Sequence, residues 1–154
     1  MILPPELKTI FLALTPLNEL RGTIPVAMIL WELSPLRAFI FAVIGNMAPI
    51  FFLLWVLPRL AELLRSKNFW LDKFFFWLFE RTRRKFYKNY SLYGDLGLLI
   101  FVAIPFPFTG AWTGAIAAFV FGIPYWRALG LIFGGVVIAG LIITLATLGL
   151  TSLI

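Results

Sequence analysis

The sequence contains no cysteine and no histidine, and charged residues make up only 13% of its 154 residues. The missing cysteine excludes disulfides and thiolate chemistry, and the missing histidine removes the commonest metal ligand and the usual base at neutral pH. Catalysis would have to use Glu19, Asp95 and threonines, a thin set for acid–base or nucleophilic work. We therefore expect no cofactor, no metal site and no enzymatic activity.

Hydrophobic residues are abundant, at 62% of the chain, and the mean hydropathy is +0.98. A soluble domain carries about 25% charged residues, so this composition predicts an all-α integral membrane protein. We expect residues 1–154 to form a single membrane domain. Because so short a chain is too small to enclose a wide substrate path alone, we also expect a homodimer.

The net charge of +6 is concentrated in one segment. Residues 58–90 hold nine basic residues against three acidic ones, which accounts for the whole net charge. The positive-inside rule therefore places the linker, residues 58–91, in the cytoplasm. Nucleic acid is a conceivable partner for such a basic run, but topology and anionic membrane lipids explain it better. The aromatic stretch 69–79 predicts an amphipathic helix lying in the membrane interface.

Two uncharged segments, 38–58 and 128–154, are each long enough for one full crossing of a bilayer. Segments 9–31 and 96–126 are also apolar, but prolines and polar residues interrupt both in the middle. A continuous helix over 96–126 would extend about 46 Å, against a hydrocarbon core of about 30 Å, so a re-entrant hairpin is predicted. Since lipid cannot hydrogen-bond an open backbone, the two breaks should face each other.

The two halves of the chain share a pattern. A shift of 90 residues places Thr23 on Thr113, Arg37 on Arg127 and Gly45 on Gly135. Repeat 1, about 6–57, and repeat 2, about 92–154, each combine one hairpin with one full crossing, an odd number of crossings. The fold expected is therefore an inverted repeat of two re-entrant helical hairpins and two full transmembrane helices, multi-pass in the cell membrane with both termini outside. Four plain spanning helices remain the alternative, with both termini in the cytoplasm.

The two breaks carry the candidate site. A charge such as Glu19 or Arg21 at the centre of a crossing costs about 2.5 to 3.5 kcal/mol on insertion scales. Arg21, threonine hydroxyls and the free amides of a half-helix N-terminus would form a seat for a phosphate or carboxylate. Glu19 either pairs with Arg21 as a structural ion bridge or exchanges a proton. Asp95, at the start of the second hairpin, either caps a helix at the interface or passes protons to the break as a second member of a proton relay.

The predicted substrate-contacting residues all lie in or beside the breaks: Glu19, Arg21, Thr23, Pro25, Asn46, Pro105, Pro107, Thr109, Gly110, Thr113 and Gly114. Arg37 and Arg127 begin the two full crossings near opposite membrane surfaces. Their side chains either snorkel to the headgroups or act as paired gates for an anionic headgroup.

Three motifs stand out at the breaks and in the first crossing: PLNELRGTIP at 16–25, GNMAP at 45–49 and PFPFTGAWTGA at 105–115. They resemble the small multidrug export family, also called the SMP family of small membrane proteins. That family is distantly similar to the DedA, or VTT-domain, membrane proteins, whose facing re-entrant hairpins imply lipid movement. The resemblance implies a transporter or flippase.

The residues at the breaks suit an anionic, phosphate-bearing amphiphile, with proton coupling through Glu19, better than a hydrophobic cation. A small multidrug exporter of hydrophobic cations is the first alternative, and a non-transporting membrane scaffold is the second.

Overall fold

The structure is a computed structural model that describes residues 3–67, 70, 73, 76–77, 90–105 and 109–153. The described residues contain helices and no strand, as the composition predicts. The helices are α1 (Pro5–Ala13), α2 (Glu19–Ile29), α3 (Pro35–Lys67), α4 (Tyr90–Ala103), α5 (Ala111–Val120) and α6 (Tyr125–Thr151). Most of the predicted interfacial helix at 69–79, much of the linker, and Pro107 lie outside the described residues.

Prolines and left-handed residues set where the helices begin. Pro5 and Pro35 are the first residues of α1 and α3, where a missing backbone N–H removes no helical hydrogen bond. Glu32 (φ 52°) and Gly122 (φ 69°) lie just before α3 and α6 and differ by 90 positions. The same left-handed turn therefore leads into the long helix in both halves.

The long helices α3 and α6 pack against each other in antiparallel orientation. Near one end of the contact, Gly140 faces the ring of Phe39. Near the other end, the Tyr125 hydroxyl donates a hydrogen bond of 3.2 Å to the Phe51 carbonyl. Residue numbers thus rise along α3 as they fall along α6, so these two long helices run in opposite directions.

Helix α3 continues through Pro58 to Lys67, although the sequence predicted that the first crossing ends at 58. Residues 58–67, the start of the predicted linker, are therefore helical. A proline removes one helical hydrogen bond, but neighbouring helices and local adjustments let apolar helices retain internal prolines.

The short helices α1 and α2 pack together along the first half of α3. The Glu6 carboxylate lies 3.8 Å from the Arg37 guanidinium in the first turn of α3. Further along, Gly45 faces the backbone of Ile10 and the side chain of Ala13. Helix α1 therefore runs parallel to α3, and α2 returns beside it to the start of α3.

The second half repeats this arrangement with α4, α5 and α6. The Arg127 guanidinium forms an ion pair with Asp95, with a hydrogen bond of 2.6 Å from Nε to Oδ2. Further along α6, Gly135 faces the backbone of Leu99 and the side chain of Val102. The hairpin of each half is thus placed at the same depth along its long helix.

Candidate functional site

A cleft of about 490 Å³ lies where the tip of the first hairpin meets the segment that precedes α5. Residues from both halves line it: Pro16, Leu17, Asn18, Glu19, Arg21, Pro105, Thr109, Trp112 and Thr113. The side chain of Leu17 is 94% exposed. The cleft therefore combines polar groups from both breaks with an opening toward the surroundings of the protein.

Glu19, the first residue of α2, has its side chain at the N-terminus of α5. The residue is 8% exposed, and its Oε1 accepts a hydrogen bond of 3.5 Å from the Trp112 backbone N–H. The first amides of a helix lack partners within the helix and carry partial positive charge, which favours an anion there. The carboxylate of the first hairpin therefore occupies the position that the sequence assigned to a substrate anion.

Gly110 makes room for this carboxylate. Its φ is +153°, and a Cβ added there would collide with the Glu19 carboxylate. A side chain at this position would be strained and would push the carboxylate away from α5. Glycine at 110 thus determines how closely Glu19 approaches the end of the helix.

Arg21 connects the two hairpins through Thr109. Its Nη2 donates hydrogen bonds to the Thr109 carbonyl oxygen and, at 2.9 Å, to Thr109 Oγ1. The same hydroxyl donates a hydrogen bond of 2.7 Å to the Ile104 carbonyl. The guanidinium and hydroxyl thereby satisfy backbone carbonyls that the break in the second hairpin leaves without helical partners.

Of the two roles predicted for Glu19, an ion bridge to Arg21 is not among the close ion pairs of the described residues, although the two opposite charges attract each other. The ion pairs recorded between described residues are those of Arg37 with Glu6 and of Arg127 with Asp95. Both Glu19 and Arg21 instead make their hydrogen bonds to the other hairpin, because the second break offers a helix N-terminus and unpaired carbonyls at this place.

The other predicted residues fall into two groups. Pro105 and Thr113 line the cleft, and the Thr113 hydroxyl lies 3.3 Å from the Gly110 carbonyl. Thr23 and Asn46 are 0% and 1% exposed, and neither lines the cleft. Thr23 Oγ1 and Asn46 Oδ1 have no hydrogen-bond partner there, so two polar atoms remain unsatisfied in the core.

Pro25 lies inside α2, and Gly114 packs against Val102. Asp95, predicted as a helix cap or as part of a proton relay, is the ion-pair partner of Arg127. With Arg37 bound to Glu6, both predicted gating arginines lie outside the cleft lining.

The sequence prediction omitted Pro16, Leu17, Asn18 and Trp112 from the site. All four belong to the interrupted motifs, so their position beside the charged residues was the available signal. Trp112 matters most, because its backbone amide binds Glu19 while its indole Nε1 is buried without a hydrogen-bond partner.

Fold and composition define the class as an all-helical membrane protein, with Pro35–Leu63 and Tyr125–Thr151 long and apolar enough to cross a bilayer. The chain belongs to the family described as "Putative small multi-drug export protein", whose sequence model matches residues 19–142. This confirms the resemblance to the small multidrug export family and indicates a transporter rather than an enzyme. The similarity to DedA proteins stays a prediction. No curated protein and no solved structure matches the chain.

Proposed function

We propose that this protein is a secondary transporter or flippase that moves an amphipathic, anionic, phosphate-bearing lipid through the cleft between two re-entrant hairpins. The observation that carries this proposal is the cleft itself, where Glu19 and Arg21 of one hairpin contact the backbone of the other. Charged residues at membrane depth usually mark transport pathways, because their placement is costly.

Helix lengths support re-entrant hairpins over plain spanning helices. Helix α1 has 9 residues and α2 has 11, so at 1.5 Å per residue they are about 14 Å and 17 Å long. Neither spans a hydrocarbon core of about 30 Å. Gly45, which faces the last turns of α1, lies about 15 Å along α3 from Pro35. The first hairpin thus turns back near the middle of the membrane.

The inverted repeat is supported by matching contacts in the two halves. Arg37 and Arg127 each bind an acidic residue near the start of a hairpin, and Gly45 and Gly135 each face the next turns of that hairpin. Because α3 and α6 are antiparallel, the hairpins would enter from opposite sides and meet at their tips. We also propose a homodimer, with residues 58–91 in the cytoplasm.

The composition of the cleft supports an amphipathic substrate. Arg21 supplies a positive charge for the oxygens of an anionic headgroup, and an arginine can bind a phosphate with two parallel hydrogen bonds. The hydroxyls of Thr109 and Thr113 would join it by exchanging their present acceptors, the Ile104 and Gly110 carbonyls, for headgroup oxygens. Pro16, Leu17 and neighbouring apolar surface would accommodate acyl or prenyl chains. The headgroup would thus lie at the tips while the chains remain in lipid.

Export of hydrophobic cations is the second candidate function. It is favoured by the Glu19 carboxylate and the Trp112 ring in the same cleft, since an anion beside an aromatic face attracts organic cations. The family description names multi-drug export, the kind of activity to which this candidate belongs.

Flipping of a labelled polyprenyl phosphate and a labelled glycerophospholipid in proteoliposomes tests the proposal, with and without a pH gradient. Arg21→Gln should slow flipping about thirtyfold, because a charge-assisted hydrogen bond contributes about 1.5 to 3 kcal/mol. Arg59→Gln is the matched control, since Arg59 is exposed and stacks on Trp55 at 3.7 Å, away from the cleft. It should leave flipping unchanged.

Ethidium uptake by the same vesicles separates the alternatives. If the native protein transports ethidium and neither lipid, and Arg21→Gln has little effect, cation export replaces the proposal. If the native protein moves none of the three, the scaffold interpretation replaces both.

A further inference from the structure

The Glu19 carboxylate is held at the end of α5 by a long hydrogen bond. Its Oε1 is 3.5 Å from the Trp112 nitrogen, beyond the usual range of about 2.7 to 3.2 Å for N–H···O bonds. The carboxylate also fills the space that the missing side chain of Gly110 leaves open. A second anion can therefore reach this amide only if the carboxylate moves away.

A donor beside this position remains unsatisfied. Trp112 lines the cleft, and its indole Nε1 is buried without a hydrogen-bond partner. A buried donor without an acceptor costs about 1 to 3 kcal/mol. A phosphate or sulfonate offers three oxygens, so such an anion has an acceptor for the amide and others left for the indole, whereas the Glu19 carboxylate bonds the amide and leaves the indole unsatisfied. A larger anion could satisfy the indole as well once the ring turned toward it.

The charges around the cleft favour a substrate anion that replaces the Glu19 carboxylate over one that binds beside it. Arg21 is the charged side chain that lines the cleft with Glu19. Helices α3 and α6 pack against α2, and the Glu19 side chain reaches the start of α5. Residues 38–54 of α3, 111–120 of α5 and 128–151 of α6 contain no ionisable residue. On α1, Glu6 pairs with Arg37 and Lys8 lies 5.9 Å from the Trp31 ring, both at the opposite end of the hairpin.

An anion that joined ionised Glu19 would therefore place two negative charges beside one positive charge in an apolar environment. Such repulsion is relieved if Glu19 withdraws or takes up a proton.

We propose that the Glu19 carboxylate is a tethered occupant of the substrate's anion site, and that the anionic group of the substrate replaces it at the amide end of α5. This inference rests on the proposed function and adds its regulation: protonation of Glu19 opens the site, and loss of that proton expels the substrate. Anion binding is then accompanied by proton uptake.

Equilibrium binding tests the exchange separately from transport. The full chain in phosphatidylcholine nanodiscs is titrated calorimetrically with decanesulfonate, which stays a monoanion between pH 5 and 8, and empty nanodiscs provide the background. Glu19→Gln keeps the shape of the side chain but removes its charge. Glu32→Gln is the matched control, because Glu32 is exposed and distant from the cleft lining.

At pH 7.5, Glu19→Gln should bind decanesulfonate about tenfold more tightly than the native protein, a conservative effect for one unit charge at close range. The native affinity should rise toward that of the variant as the pH falls, while the variant shows no pH dependence. Glu32→Gln should behave like the native protein. If Glu19→Gln is not recovered as a monodisperse folded protein, Glu19→Asp, whose carboxylate is withdrawn by one methylene, should bind about threefold more tightly.

Equal or weaker binding by Glu19→Gln, with a native affinity independent of pH, would show that the anion does not replace the Glu19 carboxylate. The proposed transport of an anionic lipid would be unaffected by that result. If decanesulfonate binds none of the proteins, while decyltrimethylammonium binds the native protein and not Glu19→Gln, the anionic substrate is wrong and the exchange fails with it.

Discussion

The two hairpins share a scaffold but differ in chemistry at their tips. Each is fixed to its long helix by an ion pair and by a close contact at a glycine, Gly45 or Gly135. The first tip carries Glu19 and Arg21, whereas the positions 90 residues later hold the uncharged Thr109 and Ala111. The charge at the hairpin tips therefore belongs to the first half alone.

The difference shows how the backbone groups at a break between two helices find hydrogen-bond partners. The break in the second hairpin leaves amides without acceptors and carbonyls without donors, each costly in an apolar environment. The carboxylate of Glu19 accepts from the amide of Trp112, and Arg21 donates to the carbonyl of Thr109. Side-chain charge and backbone dipoles are each costly alone, and here they stabilise one another.

Accessibility of single cysteines gives the largest expected effect, because the outcome is all or none. The chain has no cysteine, so Ser152→Cys can be labelled with a membrane-impermeant maleimide in intact cells without background. The inverted repeat with two re-entrant hairpins places Ser152 outside the cell. The alternative with four plain spanning helices places it in the cytoplasm. We expect full labelling, with Ser34→Cys as the external reference and Glu62→Cys as the protected one. Protection of Ser152→Cys would show that the hairpins span the membrane.

Substitution of Gly45 or Gly135, which occupy equivalent positions in the two halves, should give the next largest effect. We expect a similar loss of stability in both variants. A Cβ at Gly45 would lie 2.5 Å from the Ile10 carbonyl oxygen, and one at Gly135 would lie 2.9 Å from that of Leu99. Gly45→Ala and Gly135→Ala should each lower stability by about 2 kcal/mol through overpacking against backbone. Thermal unfolding in detergent measures this as a fall in Tm of about 4 to 8 °C.

Gly130→Ala is the control for these two variants, since nothing lies within 4 Å of a Cβ at Gly130. It should leave the Tm unchanged or slightly raised, because alanine favours a helix more than glycine does. A fall in Tm for only one of the variants Gly45→Ala and Gly135→Ala would mean that the two hairpins are not held in the same way.

Removal of either ion pair should have the smallest effect on stability. Their arginine side chains are 67% and 58% exposed, and exposed ion pairs contribute about 0 to 1 kcal/mol. Arg37→Gln and Arg127→Gln should therefore each lower the Tm by less than about 4 °C. A large loss of transport in either variant at unchanged Tm would support the predicted role of these arginines as gates.

Much of the site could be predicted from local patterns. A charged, proline-flanked break within an apolar segment identifies Glu19, Arg21, Thr109 and Thr113, because a hydrocarbon environment makes such residues expensive. The same patterns also placed Thr23 and Asn46 in the site, yet both are buried outside the cleft lining. Helical periodicity gives the face of a helix, but not which neighbour covers that face.

The sequence by itself determined the membrane class, the positions of both breaks and the correspondence of Arg37 with Arg127, since these depend on composition, hydropathy and spacing along the chain. Only the tertiary structure decided which groups bind each other: Glu19 with the Trp112 amide, Arg21 with Thr109, and Asp95 with Arg127. The physical reason is that these partners are 32 to 93 residues apart. Their contact depends on how deeply each hairpin packs along its long helix, which no local pattern encodes.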